Sequence, residues 1–153
     1  MAMNAPFDKI DFGSLPAAVN RLLQQGVLAY RSDRSLVEMK FLQAVARDPA
    51  ALPTYLCLYK IHTYQGNLVD GQAMAKAGLE EAARQCKWPQ DWRDWPPLPQ
   101  IPGGPGRFAL HTLKALAFIA LRDDRYADAS EMLGTLRRLD PAGAVGWAVQ
   151  RQG

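Results

Sequence analysis

The stretch from Arg107 to Pro141, RFALHTLKALAFIALRDDRYADASEMLGTLRRLDP, most constrains how this chain can fold. Its apolar residues recur at helical spacing and are interrupted once by a short polar turn, so it reads as two helices forming an antiparallel hairpin. Asp140-Pro141 closes the second helix, because proline disfavours helical geometry in the residue before it. The first helix is apolar almost all round and needs cover on both sides, which the rest of the chain must supply.

Similar hairpins precede it. Ser14-Leu15-Pro16 reads as a helix start, with a hydroxyl to cap free N–H groups and a proline where no N–H is wasted. That helix extends to about Tyr30. Ser35 and Glu38 then have the spacing of a capping box, Val37, Phe41, Leu42 and Val45 form one face, and Asp48-Pro49 ends the second helix. In the next hairpin Pro53 opens a helix and Gly66-Asn67 makes the turn. A second helix follows over about Leu68 to Cys86, rich in small residues that let a neighbour approach closely. Each glycine there costs about 1 kcal/mol relative to alanine, so packing is expected to have selected them.

Lys87 to Gly106 breaks the pattern with six prolines, three glycines and three of the four tryptophans. Such a stretch favours extended polyproline geometry, while Trp88, Trp92 and Trp95 at i, i+4 and i+7 suit one short turn beginning at Pro89. The tryptophans can fold back on the domain, fill a gap between hairpins, or serve as anchors for a partner; the sequence leaves all three open. Ala142 to Gln150 reads as a last short helix able to cover the open end with Val145, Trp147 and Val149.

Composition narrows the class. Basic residues number 18 against 15 acidic ones, mixed without runs of like charge, so no nucleic-acid footprint is required. Cys57 and Cys86 are far apart and lack CxxC or Cys/His clustering, which argues against a zinc site or a disulfide framework and suits a reducing compartment. The first residues lack the pattern of a secretory leader, and no segment reaches the roughly 18 apolar residues of a membrane span. A cytoplasmic protein without metal or cofactor is the simplest expectation.

A frame shift of 34 residues carries Phe41 and Ala44 onto Ala75 and Gly78; the frame resumes in the third hairpin after 58, which is 34 plus an insertion of 24. This helix-turn-helix period with closing Asp-Pro resembles the tetratricopeptide repeat family. The resemblance rests on Leu116-Ala117, Tyr126, Ala129 and Pro141 in hairpin three, on Phe41, Ala44 and Pro49 in hairpin one, and on Leu58, Gly66, Gly71 and Gly78 in hairpin two. Gln25 and Tyr59 stand where Ala117 gives the small residue, and hairpin two has no closing proline. The resemblance implies an all-α fold of stacked hairpins in a short right-handed superhelix with a C-terminal capping helix. On that reading residues 1–13 are an arm, and 14–151 a single helical-repeat domain. Its repeats lie at about 15–49, 52–86 and 107–141, its insertion at 87–106 and its cap at 142–151.

The resemblance further implies that the first helix of each pair lines a concave groove that holds a peptide. His111, Lys114, Phe118 and Arg122 form one stripe by helical geometry, Lys60 and Tyr64 hold the matching face of hairpin two, and Tyr30 belongs to that of hairpin one. Such a surface suits an acidic and apolar partner segment. No nucleophile, base and orienting group converge in the sequence, so no enzyme is expected. The leading expectation is an adaptor or chaperone-like module. The alternative is a structural or regulatory subunit that forms a homo- or hetero-oligomer, a homodimer included, through its convex face, with Trp88, Trp92 and Trp95 as loop anchors.

Overall fold

In a computed structural model of the chain, residues 21, 34–98, 100 and 102–143 are described. All of the expected first helix but Arg21, the N-terminal arm and most of the expected C-terminal cap lie outside them, as do the side chains of the Ser35/Glu38 capping box. The described residues are all-helical: α1 Arg34–Arg47, α2 Leu52–Tyr64, α3 Leu68–Cys86, a 3-10 turn Trp92–Asp94, α4 Gly104–Arg122 and α5 Tyr126–Leu139. None of these helices is long and apolar enough to cross a membrane.

Two compact units meet in sequence between Met74 and Ala75, inside α3. In the first, α1 packs on α2. Phe41 and Ala44 of α1 and Cys57, Leu58 and Ile61 of α2 are buried, following the spacing of one helical face. Pro53 stands at the start of α2, where its missing N–H costs no helical hydrogen bond. Tyr55 ties that helix back to the preceding turn, its hydroxyl donating to the Pro49 carbonyl at 2.6 Å. A Cβ on Gly71 would stand 3.0 Å from Thr63 Oγ1 and 3.5 Å from the Tyr59 carbonyl, so the first turns of α3 approach α2 closely for want of a side chain.

In the second unit α4 packs along α5, and the 3-10 turn packs on α5. Leu110, Leu113, Leu116 and Ala117 of α4 and Leu136 and Leu139 of α5 are buried. Each leucine so buried contributes about 1.5–3 kcal/mol of transfer free energy. The α4 helix begins at Gly104, ahead of the Arg107 expected from hydrophobic periodicity. Pro105 is the reason: it sits in the first turn, where a ring with preset φ and no N–H starts a helix.

The helix ends repeat. At the end of α2 Gly66 adopts φ +81°, its N–H donates to the Thr63 carbonyl at 3.1 Å, and Asn67 N–H donates to that of His62 at 2.8 Å. At the end of α4, 58 residues later, Asp124 adopts φ +59°, its N–H donates to Leu121 at 3.2 Å, and Arg125 N–H donates to Ala120 at 2.8 Å. This pair of backward bonds around a left-handed residue satisfies carbonyls that the helix leaves open. It recurs at the end of α3, where Lys87 has φ +60°, Lys87 N–H donates to Arg84 at 3.1 Å and Trp88 N–H to Ala83 at 2.9 Å.

A second kind of closure is common to the ends of α1 and α5. Asp48 N–H donates to Ala44 at 3.0 Å and Ala51 N–H to Asp48 at 3.1 Å; 92 residues on, Asp140 N–H donates to Leu136 at 2.7 Å and Gly143 N–H to Asp140 at 3.0 Å. Asp-Pro makes both turns, with proline at the second position where its φ is already correct. Between these marks α3 runs to 19 residues against 14 for α1 and for α5. It has no Asp-Pro to stop it.

Candidate binding surface

The stripe predicted on α4 lies on one helix of about five turns, and its four members share a face some 16 Å long. His111 and Lys114 are partly exposed, Phe118 is 39% exposed and Arg122 is exposed. An aromatic ring open to solvent beside cationic side chains can take an apolar side chain and a carboxylate together. Leu121, beside the stripe, is also exposed and extends its apolar part.

In the other unit Lys60 is partly exposed on α2, at the position 58 residues before Phe118. Tyr64 closes the same helix, and its side chain lies outside the described set. Tyr30 lies wholly outside the described residues. Tyr126 starts α5 as the resemblance implies, but it is 61% exposed and its hydroxyl donates to Asp124 Oδ1 at 2.8 Å. That hydrogen bond to a carboxylate raises the phenol's pKa above its ordinary value. Arg125 joins the same turn, with ion pairs to Asp123 at 2.9 Å and Asp128 at 3.2 Å.

The three tryptophans of the insertion pack within their own unit. Trp95 is 2% exposed, Trp92 is buried and Trp88 is half-buried; the Trp88 and Trp95 rings meet at 5.0 Å with a 51° tilt. Trp95 Nε1 donates to the Pro89 carbonyl at 2.8 Å, which satisfies the one polar atom of a buried indole. The short turn is the 3-10 segment Trp92–Asp94, which starts three residues after the expected Pro89 because Asp91 caps it, its carboxylate accepting from Arg93 N–H at 2.9 Å. Chiefly through this bond the Asp91 carboxyl is held below its ordinary pKa.

Sequence spacing gave no sign of what fastens this insertion to α5. Arg93 donates through Nε and Nη2 to the two carboxylate oxygens of Glu131 at 2.8 and 2.9 Å, and its guanidinium stacks 4.2 Å from the Trp92 ring centroid. Arg138 donates to the carbonyls of Trp95 at 3.1 Å and Arg93 at 3.4 Å. These partners are separated by 38 to 45 residues and belong to no local motif. The Arg93 hydrogen bonds hold the Glu131 carboxyl below its ordinary pKa and raise that of Arg93.

Both cysteines are free. Burial pushes the Cys57 thiol well above its ordinary pKa, against a smaller opposing effect of Lys60, and burial also raises that of Cys86. Among the described residues no group of three or more His, Cys, Asp or Glu side chains is placed to hold a metal ion. No family model, curated protein or solved structure matches the chain.

Proposed function

We propose that the chain is a non-catalytic binding module of tetratricopeptide-like hairpins, which holds a segment of another protein on the exposed stripe of α4. One observation carries this reading: the turn between helices at Gly66 recurs 58 residues on at Asp124, and the Asp-Pro closure at Asp48 recurs 92 residues on at Asp140, offsets that fit a 34-residue frame with an insertion of 24. Such scaffolds present a repeated surface, and the α4 stripe of His111, Lys114, Phe118 and Arg122 combines charge with exposed aromatic area. Its chemistry favours a segment with carboxylates beside apolar side chains. An adaptor or chaperone-like role fits that preference, and two free thiols fit work in the cytoplasm.

The test is selection of random displayed peptides on the intact chain, followed by affinity measurement on the Lys114→Glu/Arg122→Glu variant. Selected peptides are expected to be rich in acidic and apolar residues, to bind more weakly as salt rises, and to lose about tenfold or more in affinity to the variant. Enrichment without acidic residues, or affinity indifferent to the charge reversal, rejects this reading. Lys60→Glu, measured alone, reports whether α2 contributes the same chemistry.

A further inference from the structure

The insertion does more than fasten itself to α5. From Trp95 to Leu98 every residue is either a proline or stands immediately before one, in a sequence that continues Pro99-Gln100-Ile101-Pro102. Proline fixes φ near −65° and forces the residue ahead of it out of the helical region, so these four residues are confined to extended, polyproline II-like backbone. Trp95 has φ −61° and ψ 141°, close to the polyproline II values.

This short rod is held where it starts, and the chain packs again at Pro102. Trp95 is sunk in the unit, with its indole bonded to the Pro89 carbonyl and its own carbonyl accepting from Arg138. Further along, Pro102 packs on Gly106, where a Cβ would stand 2.6 Å from the Pro102 Cγ. Between the anchors Pro96 and Pro97 are exposed and Leu98 is half-buried. Packing employs Trp95 and Pro102 and leaves the two proline rings to solvent.

We infer that Pro96-Pro97-Leu98 is a displayed recognition segment for a second protein, namely a domain whose groove is lined with aromatic side chains and reads polyproline II helices. Proline rings fit between aromatic side chains, and a segment already extended loses little entropy when it docks. Anchoring at Trp95 lowers that cost further, because one end of the segment is fixed before the partner arrives. The inference is independent of the α4 stripe and stands if that reading fails.

The experiment titrates purified proline-recognition domains of the WW, SH3 and EVH1 classes with the full chain, by calorimetry. Saturable binding by at least one class is expected. Pro96→Ala/Pro97→Ala should weaken it by about tenfold or more, while Gln90→Ala, exposed in the same loop, leaves it unchanged. Arg138→Ala, which removes one anchor, is expected to weaken it by a smaller factor. A synthetic peptide of residues 94–102 should displace the chain at higher concentration than the chain itself requires, a readout that needs no folded variant. Absence of binding by every class, binding that survives the double substitution, or failure of the peptide to compete overturns the inference.

Discussion

Gly106 shows how one missing methyl group shapes a region. Pro102 Cγ and Cβ would lie 2.6 and 2.9 Å from a Cβ there, and a Trp88 ring carbon 3.4 Å away. Neither proline atom is the far end of a flexible chain, so the insertion would have to move. Gly106→Ala is expected to destabilise the fold by about 1–3 kcal/mol, the usual cost of overpacking. Gly134, exposed in α5 with nothing near its missing Cβ, is the control: Gly134→Ala should stabilise by about 0.5–1 kcal/mol through helix propensity. Urea denaturation of the two variants checks both signs. Lys87 and Asp124 carry the complementary lesson, since they adopt left-handed backbone without being glycine. Gly66 announced its turn in the sequence; the other two positions are legible only from the hydrogen bonds that surround them.

At the scale of elements, the insertion and α5 are joined by Arg93–Glu131, by Arg138 on two carbonyls and by the buried Trp95. The Glu131 carboxyl has its pKa lowered in the folded state, mainly by the Arg93 hydrogen bond. Its contribution is therefore present above the unfolded-state value, about 4.3, and is lost as pH falls through the lowered folded value. Acid should loosen the strap, read as a red shift of tryptophan emission below about pH 4. Asp91, also lowered by its bond from Arg93, titrates in the same direction. Glu131→Gln removes one of the two groups, so its acid step should be smaller. An unchanged step would show that Glu131 does not hold the strap. Two further groups mark the elements: the hydroxyls of Thr54 and Thr112 are buried without a hydrogen-bond partner among the described residues, at positions 58 apart. Thr54→Val and Thr112→Val keep the shape and remove an unsatisfied oxygen. Each is expected to raise stability by about 1 kcal/mol in thermal unfolding.

For the whole molecule, thiol reactivity separates local from global opening. Cys57 is fully buried and Cys86 only half-buried, and burial raises both thiols above their ordinary pKa. An aromatic disulfide reagent at neutral pH should modify Cys86 first, and Cys57 only as fast as the native state unfolds. Modification of Cys57 faster than independently measured unfolding would show that α2 opens without the rest. The sequence by itself determined the helical class, the turn at Gly66, the Asp-Pro closures and the extents of α1, α2 and α3 to within a residue or two. All of these depend on residues near one another in the chain: apolar periodicity, glycine at positive φ, and the effect of proline on its predecessor. The α4 stripe was legible for the same reason. Only the tertiary structure decided that the tryptophans turn inward, that Arg93 and Arg138 hold the insertion to α5, and that Pro96 and Pro97 are left outside. Those outcomes depend on partners tens of residues apart, and on a close approach at Gly106 that periodicity cannot record.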